Sequence, residues 1–259
     1  MKKYASDWKV VENIRLHSNY CLLKLSMDAV IPEMLPGQFV QVRVDGSQTT
    51  FLRRPISVNY IDRNKNELWL LIQLVGDGTR NLAKLQIGET VNLLYPLGNS
   101  FSIPKTINDD NVLLIGGGVG VAPLLYLGSQ LTSQGYNPTF LLGARSRKDL
   151  LLLEEFQKYG EVFVTTEDGK SGEKGYVTNH SILKKKHYDF IYTCGPSPMM
   201  HAVAAYAKQS GIPCEVSLEN LMACGIGACL CCVENTTEGH ICVCTEGPVI
   251  NIEKLKWQI

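Results

Sequence analysis

Seven of the nine cysteines in this 259-residue chain fall between Cys214 and Cys244. Cys224, Cys229 and Cys232 carry the spacing Cys-x4-Cys-x2-Cys, and later cysteines are available to complete a set of four. That is the plant-type [2Fe-2S] ligand pattern, in which thiolates hold the cluster. Between the first two cysteines, Gly225-Ile226-Gly227-Ala228 supplies small residues. Such a loop can wrap an inorganic cluster tightly and point backbone N–H groups at its sulfurs, which tunes its potential. Structural zinc usually shows paired Cys-x2-Cys knuckles instead of one glycine-lined x4 gap. Disulfides are the other alternative, but clustered cysteines without a secretory signal more naturally bind metal. Cys242 and Cys244 are two apart and would face one side of a strand, so periodicity leaves the fourth ligand open between them.

A second group of residues suits a phosphate. Ile115 runs into Gly116-Gly117-Gly118-Val119-Gly120-Val121-Ala122-Pro123, a glycine-rich turn after a strand-like run and before a helical one. Glycine permits close backbone approach, and a helix N-terminus favours a pyrophosphate. Gly118-x-Gly120-x-x-Pro123 departs from the usual dinucleotide fingerprint, whose last position is Gly or Ala. Cys194-Gly195-Pro196 sits at a strand's carboxyl end, where open α/β sheets bind ligands. Cys194 also reads as a small buried hydrophobe, and Met199 and Met200 as core. Earlier, Arg53-Arg54-Pro55-Ile56-Ser57 pairs cations with a hydroxyl on strand-like sequence; arginine can clamp a phosphate, while a solvated arginine pair is the blander reading. Gly76-Asp77-Gly78-Thr79-Arg80 can bring backbone amides and Thr79 to another phosphate, or form a simple hairpin turn.

These residues need elements to position them. The chain is 45% hydrophobic, enough for a substantial core in one large or two ordinary domains. Lys plus Arg equal Asp plus Glu at 25 each, so no global field favours nucleic acid or an acidic membrane surface. Asp7, Lys9 and Glu12 stand where a signal peptide would need an apolar core, which predicts a cytoplasmic protein. The most apolar run, Val112 to Leu127, is too short and too glycine-rich for a bilayer span. Short β-rich segments at Tyr20 to Leu25, Phe39 to Val44, Ile56 to Ile61, Leu68 to Leu74 and Thr90 to Leu94 predict a small antiparallel barrel. After Pro104 strands alternate with helical patterns, which predicts a parallel sheet and a boundary near Pro104 to Asp110. Its strands are expected at Val112 to Ile115, Thr139 to Leu142, Val162 to Thr165, Phe190 to Thr193 and Cys214 to Ser217. Ser146 to Asp149 resembles a capping box for a helix closed by Gly160, and Ser197-Pro198 opens one running toward Gly211. Leu124, Leu127 and Leu131 recur at helical spacing as core contacts.

Taken together, Arg54 to Ser57, Gly78-Thr79, Gly118-x-Gly120-x-x-Pro123 and Cys194-Gly195-Pro196, in this order, resemble the ferredoxin-reductase-like flavoproteins over nearly the whole chain. With Cys-Gly-Ile-Gly-Ala-Cys and Cys244-x-Glu-Gly-Pro-Val, the chain is most similar to the electron-transfer subunits of type B dihydroorotate dehydrogenases. The resemblance implies an antiparallel flavin-binding β-barrel (1–104), a parallel-sheet α/β nucleotide-binding domain (105–218) and a C-terminal [2Fe-2S] segment (219–259). It implies FAD at Arg54, Pro55, Ile56, Ser57, Leu71, Ile72, Gln73, Gly78 and Thr79. NAD is implied at Gly118, Gly120, Pro123, Cys194, Gly195 and Pro196. It favours Cys244 over Cys242 as the ligand joining Cys224, Cys229 and Cys232. It further implies a separate FMN-containing dihydroorotate dehydrogenase catalytic subunit, in a heterotetramer of two of each, serving pyrimidine biosynthesis. Hydride transfer belongs to the cofactors, so no catalytic side chain is expected, and none of the five histidines is assigned. Two departures stand out: Tyr95 precedes Pro-Leu-Gly-Asn where relatives commonly carry glycine, which predicts altered flavin packing, and Cys231 adds a thiol. Arg145 and Arg147 follow the second α/β strand, where they suit an NADP 2′-phosphate or are solvated, although the resemblance points to NAD. A related NAD(P)H:ferredoxin or sulfur-reductase subunit is the alternative, with all-cysteine ligation against it; a zinc-stabilised nucleotide-binding module is the non-enzyme alternative.

Overall fold

The computed structural model describes residues 2–104 and 111–258, so most of the expected boundary at Pro104 to Asp110 lies outside the described residues. The chain folds as two units. One comprises Met1–Ser100, Asn220–Glu234 and His240–Pro248; the other comprises Phe101–Glu219, Asn235–Gly239 and Val249–Ile259.

The first unit is built on β1 (Tyr4–His17), β2 (Tyr20–Ser26), β3 (Phe39–Val42), β4 (Arg54–Ser57), β5 (Tyr60–Asp62), β6 (Glu67–Gln73) and β7 (Thr90–Leu97), with helix α1 (Asp77–Leu82) between β6 and β7. They form one antiparallel sheet in the order β4-β3-β7-β1-β2-β6-β5. The two edges meet where β4 turns into β5: Val58 N–H donates to Gln38 O at 2.9 Å and Asn59 N–H to Trp69 O at 3.0 Å. The expected single strand from Ile56 to Ile61 is therefore broken, because its middle residues bridge the two edges of the barrel. Strand β1 was not expected, since its charges disguise it: Asp7 and Lys9 are exposed while Trp8 and Val10 are fully buried. That is the period-two alternation of a half-buried strand. Tyr95 lies in the core, 1% exposed, packed edge-on against Trp8 with its hydroxyl 2.8 Å from Ser6 Oγ. It fills the barrel, which accounts for the bulky residue as packing.

The second unit alternates β8 (Asn111–Gly117), α2 (Ala122–Ser133), β9 (Asn137–Ala144), α3 (Leu153–Phe156), β10 (Glu161–Thr166), β11 (Glu173–Lys174), α4 (Ile182–Lys185), β12 (Phe190–Cys194), α5 (Ser197–Ser210) and β13 (Cys214–Ser217). The chain continues through β14 (Val233–Thr236), β15 (Gly239–Cys242), α6 (Val243–Glu246) and β16 (Val249–Asn251). The sheet order is β11-β10-β9-β8-β12-β13-β16, parallel except for β16, which runs antiparallel to β13. Strand order reverses between β8 and β12, which makes their carboxyl ends the topological switch point of an open α/β sheet. Leu124, Leu127 and Leu131 of α2 are fully buried, and α5 ends at Gly211 with φ 64°, as expected. The helix expected from Ser146 to Gly160 is instead a single 3-10 turn, Arg147–Asp149, and the short α3, separated by Leu152 in the left-handed region at φ 55°. Ser146 Oγ donates to the Asp149 carboxylate at 2.6 Å and leaves the backbone uncapped. No helix among the described residues is long and apolar enough to cross a membrane.

Candidate functional site

On the barrel the two arginines part company. Arg53 is tied into the sheet, its guanidinium donating to Gln41 O at 3.2 Å, Asn92 O at 3.1 Å and Asn92 Oδ1 at 2.6 Å. Arg54 makes only short-range bonds, to Leu52 O at 3.0 Å and Arg53 O at 3.3 Å, and its guanidinium lies over Gly78. A Cβ on Gly78 would stand 2.7 Å from Arg54 Nε and 3.1 Å from Thr50 Cγ2. Residues 24 positions apart thus meet, the cation of one beside the first-turn amides of α1. The expected hairpin turn at Gly76 is this helix start. Thr79 Oγ1 is consumed locally, accepting from Val75 N–H at 3.1 Å and Gly76 N–H at 3.2 Å, so the groups left here to meet an anion are backbone amides and Arg54.

Register separates Arg54 from Ser57. Phe39 pairs with Ser57, Gln41 with Pro55 and Val42 with Arg54, so Ser57 and Pro55 share a face with Gln41, while Arg54 and Ile56 share the other. Strand β4 is an edge, half-buried along its length, so a planar ring along that edge reaches side chains from both faces. Leu71 and Ile72 are 2% and 0% exposed, and Gln73 Nε2 donates to Tyr20 Oη at 3.3 Å. Strand β5 pairs with β6 only as far as Trp69, which leaves the backbone edge of Leu71, Ile72 and Gln73 beyond the end of that strand. These three residues can meet a ligand through the main chain rather than through side chains.

In the second unit the two glycine motifs touch at the switch point. A Cβ on Gly120 would stand 2.5 Å from Gly195 N and 2.6 Å from the Cys194 carbonyl carbon. The Gly118–Val121 turn and Pro123 open α2 beside Cys194-Gly195-Pro196, which opens α5. Gly118 has φ 56°, a conformation that L side chains rarely adopt. Cys194 is 7% exposed, and burial pushes its thiol up to about 12, so it is a neutral packing group beside Ser217. Met200 is 3% exposed in the core. Gly120→Val is expected to do more than block a nucleotide. It wedges the two motifs apart, and overpacking of this kind costs about 1–3 kcal/mol. A thermal melt should fall by several degrees along with NADH-dependent reduction; an unchanged melting temperature would contradict this packing. Arg145 and Arg147 are exposed beyond β9.

The cysteine segment resolves into two pairs. Ile226 N–H and Ala228 N–H donate to Cys224 Sγ at 3.4 and 3.3 Å, and Cys229 also bonds that sulfur. Gly227 N–H donates to Cys244 Sγ at 3.2 Å, and Cys244 N–H donates to Cys232 Sγ at 3.4 Å. Cys224 sits with Cys229, and Cys232 with Cys244, so the four thiols form two pairs. A single tetrahedral ion would need all four around one point. The Ile226 amide, the largest influence, with its neighbours pulls the Cys224 thiol down to about 6, whereas burial pushes Cys244 up to about 12. Gly225 and Gly227 have φ 71° and 83°, the left-handed turns that aim these amides inward. Cys242 ends β15 while Cys244 lies in α6, so the two do not share one strand face as expected. Cys231 is exposed. The donor set therefore fits a binuclear iron-sulfur cluster at Cys224, Cys229, Cys232 and Cys244.

Two residues had no signal in the sequence. Glu219 follows β13 beside Cys194; its side chain is exposed, and partial desolvation raises its carboxyl above the usual range. Gln41 is 0% exposed, and both its amide atoms lack a hydrogen-bond partner among the described residues. Neither stands in a recognisable motif.

Comparison with known proteins agrees with this geometry. The profile of the iron-sulfur cluster binding domain of dihydroorotate dehydrogenase B matches residues 219–256, and that of the oxidoreductase NAD-binding domain matches residues 114–205. The chain is 36% identical over 251 residues to the electron transfer subunit of dihydroorotate dehydrogenase B (NAD(+)) from Fusobacterium nucleatum, covering 94% of this chain and 95% of that one. It is 40% identical over 217 residues to the Geobacillus kaustophilus subunit of the same name, covering 83% and 84%. A solved NADH-dependent reduced ferredoxin–NADP oxidoreductase superposes with TM-score 0.86 at 29% identity, covering 96% of this chain and 90% of that one. The barrel, the α/β sheet with its paired glycine turns and the two cysteine pairs thus fall together under one heading: the chain belongs to the family of electron-transfer subunits of dihydroorotate dehydrogenase B.

Proposed function

We propose that this subunit carries electrons between NAD(H), FAD and a [2Fe-2S] cluster, to or from an FMN-containing dihydroorotate dehydrogenase catalytic subunit in pyrimidine biosynthesis. The observation that carries it is the pairing of Cys224 with Cys229 and Cys232 with Cys244 under inward-facing amides, in the same unit as the barrel. When bound, FAD supplies the conversion between two-electron hydride chemistry and one-electron transfer through the cluster. Residues 1–104 hold the flavin, 105–218 the nucleotide and 219–259 the cluster.

Arg54 and the α1 amides neutralise a flavin phosphate, while Pro55, Ile56, Ser57 and the backbone of Leu71–Gln73 line the ring. Gly118 and Gly120 let the nucleotide's phosphates approach the start of α2, with Pro123 fixing that turn. Cys194, Gly195 and Pro196 close the other side of the switch point. Cys232 and Cys244, 2% and 1% exposed, keep water from their half of the cluster. Leu221, Ile226 and Leu230 are 85%, 45% and 64% exposed around the cysteine loop, an apolar surface suited to the catalytic partner. A heterotetramer of two subunits of each kind gives every cluster one partner. None of the nine cysteines is paired in a disulfide, which suits the reducing cytoplasm.

Anaerobic visible spectroscopy with iron, sulfide and flavin analysis tests the reading, together with titration by NADH and NADPH. One FAD, two irons and two sulfides per chain, preferential reduction by NADH, and dihydroorotate-dependent NADH formation after mixing with the FMN subunit are expected. Reduction of ferredoxin without binding to that subunit would favour the ferredoxin-linked reading, which the 29% identity to the ferredoxin–NADP oxidoreductase keeps in view.

A further inference from the structure

Gln41 lies in the middle of β3 with its side chain on the Phe39–Ser57 face of the sheet. The cysteine segment covers this face. A Cβ on Gly225 would stand 2.8 Å from Gln41 Cγ and 2.9 Å from its Nε2, and a Cβ on Gly98 would meet both Phe39 Cε1 at 3.0 Å and Pro248 Cδ at 2.6 Å. Gln41 therefore packs its amide nitrogen against the residue that follows Cys224, on the face that also carries Pro55 and Ser57. Its carbonyl accepts from Arg53 Nη1 at 3.2 Å, and its strand pairs with both β4 and β7. Its side chain is 0% exposed, yet neither Nε2 nor Oε1 has a partner among the described residues.

A buried primary amide with no partner is costly, and an apolar side chain of equal volume would fill the same space without that cost. Nε2 is the amide atom that lies against Gly225, which turns this donor toward the cysteine loop. The acceptors that belong there are the sulfurs of the cluster and its thiolates, which already draw N–H groups from Ile226, Gly227 and Ala228. We infer that Gln41 is a positioning residue of the redox centre, its side-chain N–H donating to a sulfur of the [2Fe-2S] cluster from the sheet side. This rests on the cluster assignment above. The reduced cluster carries one more negative charge than the oxidised one, so a donor stabilises the reduced form more and raises the potential. Only the Gly225 loop, bare of a side chain, lets the amide come this close.

Pulsed EPR of the dithionite-reduced protein, labelled with 15Nε2-glutamine, tests this directly without a substitution. A 15N coupling to the cluster is expected, and it should vanish in Gln41→Met, which keeps the length and loses the donor. The same variant should show its one-electron reduction equilibrium shifted about tenfold toward the oxidised form, about 59 mV, with FAD content and flavin spectrum unchanged. A wild-type cluster with no glutamine 15N coupling overturns the inference, even where Gln41→Met fails to assemble a cluster. So does a coupling that survives in Gln41→Met, or a flavin potential that moves while the cluster's does not. Absence of iron and sulfide from the wild-type protein overturns the cluster assignment itself, a result distinct from a loaded cluster without coupling.

Discussion

Cys224→Ser, Cys229→Ser, Cys232→Ser and Cys244→Ser, made one at a time, are each expected to empty the cluster or shift its spectrum, while Cys231→Ser and Cys242→Ser leave both nearly unchanged. The reason is the pairing. Cys224 and Cys232 receive backbone N–H groups at 3.3–3.4 Å and Cys244 receives one at 3.2 Å, so three of the four sulfurs already accept the N–H bonds that tune a cluster's ligands. Choosing Cys231 over Cys232 would shorten the x2 interval to one residue. Cys242 is held differently, its N–H donating to Glu246 Oε2 at 2.8 Å at the head of α6. In ligand variants that retain FAD, NADH should still bleach the flavin at close to the parent rate, whereas coupled turnover with the FMN subunit should fall by orders of magnitude. Iron analysis, the visible spectrum and stopped-flow reduction measure the three outcomes separately. Full coupled turnover in protein verified to be free of iron would sink the proposed route.

The parts of this molecule that were legible in the sequence are those whose chemistry is local. The Cys-x4-Cys-x2-Cys run, the glycine turn after Ile115 and Cys194-Gly195-Pro196 each need particular residue types at fixed spacing, and each lies where a strand or loop ends. The five apolar runs of the α/β sheet were equally plain, because strands covered on both faces read as continuous hydrophobic stretches. Strand β1 was hidden by the same logic in reverse. Its exposed face carries Asp7 and Lys9, and the charges dominate a segment whose buried face rests on Trp8 and Val10. The missed break between Arg147 and Phe156 turns on Ser146, whose hydroxyl bonds a side chain rather than the backbone amide that a cap would satisfy.

What sequence could not reveal is contact between distant residues. Nothing local distinguishes Arg53 from Arg54; Asn92 and the Gln41 carbonyl take the first into the sheet and leave the second over Gly78. The closeness of Gly120 to Gly195 depends on strand order reversing between β8 and β12, a property of the sheet and of neither motif alone. Gln41 belongs to the same class. In sequence it is a polar residue in an apolar strand, and only the loop folded across that face shows why its amide matters.

Arg54→Ala is expected to weaken FAD binding by roughly tenfold to hundredfold, the loss that follows from removing a charge-assisted bond worth about 1.5–3 kcal/mol. Iron content should be retained, since no cysteine contact passes through this guanidinium. Arg53→Ala should behave differently, reducing stability by removing the guanidinium that ties the Gln41 carbonyl to the Asn92 side chain. A second variant separates the position of the charge from its presence. Gly78→Ala keeps Arg54 but places a Cβ 2.7 Å from its Nε, so the flexible guanidinium must swing away from the start of α1. Alanine also favours a helix over glycine by roughly 0.5–1 kcal/mol. Gly78→Ala should therefore bind FAD less tightly while its thermal stability, measured without added flavin, is maintained or raised. Opposite movement of affinity and stability is the signature of a displaced phosphate clamp, and isothermal titration beside a thermal melt reads both. Should Arg54→Ala and Gly78→Ala retain FAD with parent affinity, the flavin phosphate is held elsewhere on the barrel, and the junction of β4 with α1 is only a structural contact.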